Sequence, residues 1–147
     1  MTDLHIDATL TTTADPAAVW KLLGDIGTWT TWGRWTLAEL EREGKLDPAG
    51  VGAIRRFRYL GRETREEVVG FDAPTRFAYE LMSGLPLRNY HAEVTVVPDG
   101  AGARLDWHSV FDATPRARLV QPYLAWFVRD TAKRLLRAAE RDGVNSG

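Results

Sequence analysis

The stretch PYLAWFVRDTAKRLLRAAER, residues 122–141, decides the fold of this chain. Its apolar side chains recur every three or four residues, and charged side chains such as Arg129 and Lys133 stand between them. This pattern is typical of a helix that packs along one face only. The stretch therefore predicts a C-terminal helix roughly 30 Å long, followed by a flexible tail over residues 143–147. On this helix one stripe of side chains would face the sheet, and it consists of Leu124, Phe127, Val128, Thr131, Leu135 and Ala138.

Nearly all of the preceding sequence is typical of short strands. Residues 4–12 alternate between apolar and polar side chains, which predicts a half-buried strand. A helix is predicted over residues 16–23, because Asp15 can cap it and a proline takes its first position. Residues 25–33 predict a second short helix or turn. Short turns favour antiparallel pairing of six further strands, which are predicted over residues 35–43, 53–59, 63–71, 76–82, 87–97 and 103–111.

These elements predict one α+β domain over residues 1–142, with two short helices after the first strand. The simplest way to bury every apolar face is to curl a seven-stranded antiparallel sheet around the long C-terminal helix. A strongly curved sheet cannot lie flush against a straight helix along its whole length. We therefore expect an internal cavity, and we expect the function to reside there.

Composition narrows the possible functions. The 147 residues include no cysteine, which excludes disulfides, thiolate metal ligands and a cysteine nucleophile. The 19 basic and 20 acidic residues nearly balance, so no nucleic-acid partner is predicted. Residues 1–10 lack the features of a signal peptide, and the densest apolar stretch, residues 123–128, is too short to cross a bilayer. We expect a cytoplasmic protein without integral membrane association.

Strand alternation predicts which side chains face the cavity. On residues 76–82, 87–97 and 103–111, one set of alternating positions is largely apolar and should face inward. From the strands, the predicted ligand-binding residues are Phe57, Tyr59, Phe77, Tyr79, Leu81, Tyr90, Val94, Trp107, Ser109 and Phe111. From the long helix, they are Leu124, Phe127 and Thr131, which should form the floor of the cavity.

Three tryptophans spaced three residues apart follow the first helix, at Trp29, Trp32 and Trp35. Large flat side chains offer broad apolar faces to a ligand and lose little conformational entropy when held in place. Trp32 and Trp35 are therefore candidates for stacking against a ligand. The alternative is that they plug the end of the sheet.

The three histidines carry no sign of a metal site. Strand alternation places His5, His91 and His108 on the polar faces of their strands, and none shows close ligand spacing such as His-x-x-x-His. We predict no metal and no cofactor.

The strands around Gly61 suggest a polar pair inside the cavity. With Gly61 in the turn, Arg55 would lie opposite Glu67, and Glu67 shares its face with Val69 and Phe71. A buried ion pair is costly unless it is well hydrogen-bonded, and such groups often serve a ligand. The alternative is a register shifted by one residue, which would turn both side chains towards solvent.

Five motifs give the chain a family resemblance over nearly its whole length. They are ADPAAVW at residues 14–20, GVG at 50–52, EVVGFDAP at 67–74, RFAY at 76–79 and GARLDW at 102–107. With these motifs the chain resembles the START-like superfamily, also called SRPBCC, and within it the polyketide cyclase/dehydrase type. The resemblance implies a helix-grip fold. The superfamily includes aromatic polyketide cyclases, lipid and hormone carriers, stress proteins and chaperone-activating domains, so the fold alone does not define the function.

Two functions remain open at this point. The first is a carrier or sensor that binds a small hydrophobic or aromatic molecule. The second is a polyketide cyclase or dehydratase, in which Glu67 would accept a proton while Arg55, Tyr79 or Tyr90 would stabilise an oxyanion. The only partner predicted is a small hydrophobic ligand. Exposed edge strands leave open whether the protein is a monomer or a homodimer.

Overall fold

The computed structural model describes residues 2–145 and contains one antiparallel sheet, two short helices and one long helix. The strands are β1 (Asp3–Thr12), β2 (Leu37–Arg42), β3 (Ile54–Tyr59), β4 (Arg62–Asp72), β5 (Arg76–Ser83), β6 (His91–Asp99) and β7 (Gly102–Asp112). The helices are α1 (Pro16–Leu23), α2 (Trp29–Trp32) and α3 (Pro115–Asn145), and a 3₁₀ turn (Ile26–Thr28) precedes α2.

The seven strands lie in the order β1-β7-β6-β5-β4-β3-β2, and every neighbouring pair is antiparallel. The curved sheet and the long C-terminal helix confirm the predicted fold class. On β1, Ile6 and Ala8 are buried while His5 and Asp7 are exposed, as the period of two predicts. Within the described residues, no helix is both long and apolar enough to cross a membrane.

The long helix begins earlier than predicted. It starts at Pro115, where the Thr114 hydroxyl accepts a hydrogen bond from the backbone N–H of Ala117 at 3.1 Å and so caps the helix. Pro122, predicted as the first residue, lies inside the helix on its exposed side. The helix also continues through Asn145, so part of the predicted tail is helical, and residues 146–147 lie outside the described residues. At 31 residues, α3 is about 46 Å long.

The strand predicted over residues 87–97 begins only at His91. Asn89 has a backbone φ of 55°, a left-handed conformation that interrupts extended structure. The residues between β5 and β6 therefore form a loop, and its backbone carbonyl at Arg88 accepts a hydrogen bond from the N–H of Asp112.

The predicted register of the β3–β4 hairpin is wrong by one residue. Leu60 and Gly61 form a two-residue turn with φ values of 51° and 77°, so Tyr59 pairs with Arg62 and Arg55 pairs with Glu66 rather than Glu67. The pairing of β4 with β5 is irregular between Val68 and Gly70. One extra residue on β4 there shifts the alternation of inward-facing and outward-facing side chains. Residues that precede this bulge therefore cannot be assigned to a face by counting back from Phe71.

Candidate functional site

A cavity of about 130 Å³ lies between the N-terminal half of α3 and the inner face of the sheet. A single buried water molecule needs a cavity of roughly 10–15 Å³, so this cavity is far larger than a gap that holds one water. Its lining consists of Trp29, Trp35, Phe57, Tyr59, Arg62, Thr64, Glu66, Tyr79, Leu81, Leu85, Tyr90, Trp107, Tyr123, Leu124, Phe127, Val128 and Thr131. Most of these side chains are aromatic or aliphatic, as expected of a site for an apolar guest.

Aromatic rings from α2, β3, α3 and the loop that follows α2 form one continuous wall. The Trp35 ring lies 5.3 Å from Trp29, 5.2 Å from Phe57 and 5.7 Å from Phe127, measured between centroids. Gly33 makes this arrangement possible, because a Cβ at that position would lie 2.3 Å from the Trp35 ring. The residue after α2 therefore has to be glycine for Trp35 to fold back towards the cavity.

Arg55 carries a charge into this apolar interior. Its Nη2 lies 2.6 Å from Oε1 of Glu66, and the two side chains are only 6% and 15% exposed. The guanidinium carbon also lies within 4.7–5.2 Å of four ring centroids, which belong to Trp29, Phe57, Phe77 and Tyr79. Cation–π contacts and the carboxylate together offset the cost of removing the guanidinium from water. The Arg55 Nε has no hydrogen-bond partner among the described residues.

Burial changes the acid–base character of Glu66. Desolvation raises the pKa of its carboxyl group above the ordinary value, and the charge and hydrogen bond of Arg55 partly oppose that rise. The Glu66 carboxylate is therefore a stronger base than a carboxylate in water.

Two tyrosine hydroxyls lie near Glu66 in the polar part of the cavity. The Trp107 indole N–H donates to the Tyr79 hydroxyl at 3.1 Å, and the hydroxyls of Tyr90 and Ser109 lie 2.9 Å apart. Burial raises the pKa of Tyr79 well above its usual value and that of Tyr90 to about 12. Both tyrosines therefore keep their protons at neutral pH and can donate hydrogen bonds to an oxygen of a guest.

The cavity reaches solvent between α3 and the β3–β4 hairpin. Tyr123 on α3 is half exposed, and its hydroxyl donates to that of Tyr59 at 3.3 Å. Arg62 is exposed and donates to the carbonyl of Gly84 at 3.0 Å, which joins the hairpin to the β5–β6 loop. These contacts define the mouth of the cavity.

The structure places many of the predicted residues on the cavity wall and several behind it. Trp32 is buried behind Trp29 and donates its indole N–H to the Thr28 hydroxyl at 3.2 Å. Glu67 lies next to Arg42 outside the cavity, with its side chain 40% exposed. The predicted residues that line the cavity are Trp35, Phe57, Tyr59, Tyr79, Leu81, Tyr90, Trp107, Leu124, Phe127 and Thr131. Those that pack into the core instead are Trp32, Phe77, Val94, Ser109 and Phe111.

Sequence reasoning missed seven lining residues, which are Trp29, Arg62, Thr64, Glu66, Leu85, Tyr123 and Val128. Two of them carried a usable signal, since Trp29 begins the tryptophan series and Val128 belongs to the apolar stripe of the helix. Glu66 could be found only from the true register of the hairpin.

No group of three or more histidine and carboxylate side chains within residues 2–145 is placed to hold a metal ion. His5 and His108 lie close together on the outer face of the sheet, where the His108 ring contacts the Asp7 carboxylate.

Comparison with known proteins identifies similar structures across almost the whole chain. A family model described as polyketide cyclase / dehydrase and lipid transport matches residues 3–145. A point mutant of norcoclaurine synthase from Thalictrum flavum, in complex with a transition-state analogue, superposes with a TM-score of 0.75 and 15% identity over 96% of both chains. The same enzyme in complex with dopamine and hydroxybenzaldehyde gives 0.75 and 16% identity, over 95% of this chain and 88% of that one.

A bacterial protein has a similar fold. The protein XoxI from Bacillus cereus superposes with a TM-score of 0.73 and 18% identity, over 91% of this chain and 94% of its own. A search of curated protein sequences finds no match. At these identities the structural similarities demonstrate a shared fold alone.

Proposed function

Because the chain belongs to the polyketide cyclase / dehydrase and lipid transport family, we propose that it binds a small hydrophobic or aromatic molecule inside the cavity, as a carrier or sensor. The observation that carries this proposal is the aromatic cavity itself, with a polar cluster at Glu66, Tyr79 and Tyr90. Apolar walls supply affinity, and a few polar groups orient the guest. The volume of about 130 Å³ suits a molecule with one ring and short substituents.

Two variants of the same helix test this proposal. Leu124→Trp adds an indole to the cavity wall, whereas Leu119→Trp adds one to a position on α3 that is 81% exposed. Toluene binding is measured by ligand-observed NMR. We expect Leu124→Trp to weaken it by about tenfold or more, because the added ring takes the space of the guest. Leu119→Trp should bind as the wild type does. Equal affinities in all three proteins, or no binding to the wild type, would refute the proposal.

The natural ligand can be sought directly. Native mass spectrometry of the protein purified without denaturation should show an adduct of a small apolar molecule. The abundance of this adduct should be lower in Leu124→Trp and unchanged in Leu119→Trp.

A second candidate function is an aldol-type cyclase or dehydratase in the same cavity. The observation that favours it is a carboxylate of raised pKa beside two protonated tyrosines. Glu66 would take a proton from the carbon next to a substrate carbonyl, and Tyr79 or Tyr90 would donate a hydrogen bond to the enolate oxygen. The enolate carbon would then attack a second carbonyl, and the alkoxide formed there would take the proton back from Glu66. A turnover assay with the co-purified compound separates the candidates, since a carrier returns it unchanged.

We further propose that the protein works in the cytoplasm, as a monomer or a homodimer. The lack of cysteine suits a reducing compartment. The edge strands β1 and β2 offer backbone groups through which two copies could pair.

A further inference from the structure

Glu66 presents a hydrogen-bond acceptor to the cavity. Arg55 contacts its Oε1 at 2.6 Å, and no donor among the described residues reaches its Oε2. The side chain is part of the cavity lining and is 15% exposed. A guest that enters the cavity therefore meets a carboxylate oxygen with free lone pairs.

An acceptor of this kind discriminates between guests. A guest without a hydrogen-bond donor displaces water from the carboxylate oxygen and leaves that oxygen unsatisfied, which is costly in an apolar site. A guest with an O–H group replaces the lost water with a charge-assisted hydrogen bond. Granting the proposed function, we propose that Glu66 selects neutral aromatic molecules that carry a hydroxyl group over equally large molecules that do not.

The surrounding charges favour a neutral hydroxyl over a cationic donor. Arg55 balances Glu66, and Arg62 adds a second guanidinium at the mouth, so the cavity offers no net attraction to an ammonium group. Tyr79 or Tyr90 can in addition donate to a lone pair of a hydroxyl oxygen. Both lie close enough to Glu66 for its charge to contribute to their raised pKa values. An ammonium group has no lone pair with which to accept from them.

Two probes of nearly equal size and shape test this selection. p-Cresol and p-xylene differ only in a hydroxyl group in place of a methyl group, and p-xylene is the more hydrophobic. Hydrophobic burial alone therefore predicts that p-xylene binds more tightly. We expect the wild-type protein to bind p-cresol more tightly than p-xylene in ligand-observed NMR titrations, and to bind cationic 4-methylbenzylamine more weakly than p-cresol.

Neighbouring residues provide a matched pair of variants. In Glu66→Gln the Arg55 guanidinium retains the amide oxygen, so the amide NH₂ faces the cavity and the acceptor becomes a donor. We expect p-cresol affinity to fall about tenfold, the worth of a hydrogen bond to a charged group, while p-xylene affinity stays the same. Glu67→Gln makes the same change one residue further along β4, outside the cavity, and should leave both affinities unchanged.

The outcomes distinguish the selection by Glu66 from the proposed binding in the cavity. Equal or tighter binding of p-xylene by the wild type, abolished in Leu124→Trp, would overturn the role of Glu66 and leave the cavity as the binding site. Tighter binding of 4-methylbenzylamine than of p-cresol would overturn the preference for neutral guests. Failure of every probe to bind would overturn both proposals. The ranking in the wild type needs no variant, so the test holds even if Glu66→Gln does not fold.

Discussion

Arg55 brings a full positive charge into an interior that is otherwise apolar, and Glu66 balances it there. The hairpin register sets this pair opposite each other on β3 and β4, and four aromatic rings surround the guanidinium. Breaking such a pair is far more damaging than replacing both members, because a single substitution leaves one charge buried without a partner.

A double-mutant cycle in urea unfolding measures this effect. We expect Arg55→Met to destabilise the protein by about 3–5 kcal/mol at neutral pH, and the double variant Arg55→Met/Glu66→Met to recover most of that loss. The control Arg58→Met lies on the same strand, in an exposed pair with Glu63, and should have little effect. Additive effects of Arg55→Met and Glu66→Met would show that the two charges do not depend on each other.

The raised pKa of Glu66 predicts the sign of a pH dependence. Its folded-state pKa lies above the ordinary glutamate value of about 4.3. Between these two values the folded state binds the proton more tightly than the unfolded state, so this group makes the protein more stable as the pH falls. The loss in Arg55→Met should therefore shrink as the pH is lowered from neutral towards 4.3. A loss that stays constant with pH would contradict a charged, unpaired Glu66.

The sequence could identify Arg55 but not its partner. Alternation along β3 correctly turns Arg55 inward, because β3 pairs regularly with β4 over its whole length. Glu66 and Glu67 are adjacent and chemically identical, so the choice between them depends on the turn length and on the bulge between Val68 and Gly70. Neither feature follows from apolar periodicity.

At the scale of secondary-structure elements, the β3–β4 hairpin owes its register to an unfavourable turn residue. Leu60 has a φ of 51°, a conformation that costs a residue with a Cβ roughly 1–2 kcal/mol. Its side chain is 80% exposed, so packing repays little of that cost. Asparagine followed by glycine is the preferred sequence for such a turn.

Leu60→Asn should therefore stabilise the protein. We expect a gain of about 0.5–1 kcal/mol, seen as a rise in Tm of roughly 1–4 °C in calorimetry. Leu46→Asn replaces a fully exposed leucine whose φ is not positive, and should leave Tm unchanged. A fall in Tm for Leu60→Asn would mean that the leucine side chain makes a stabilising contact at the mouth.

Over the whole molecule, α3 has two parts with different roles. Its residues from Tyr123 to Thr131 border the cavity, whereas the following turns pack tightly into the core through Ala132, Leu135, Leu136 and Ala139. Close packing of α3 is interrupted where the helix borders the cavity, as the misfit between a helix and a curved sheet predicted. The volume of this gap depends on individual side chains, which no sequence pattern specifies.

Two leucine truncations on α3 should separate stability from binding. Leu135 is fully buried in the packed part, so Leu135→Ala should cost about 2–5 kcal/mol in urea unfolding and leave toluene affinity unchanged. Leu124 is half-buried and already borders open space, so Leu124→Ala creates little new void in a packed region and should cost less. Its effect should appear in binding instead, because the enlarged cavity fits toluene less closely and admits bulkier rings. If Leu135→Ala weakened toluene binding as much as Leu124→Ala did, the two parts of the helix would not be independent, and the cavity could not be treated as a site set apart from the core.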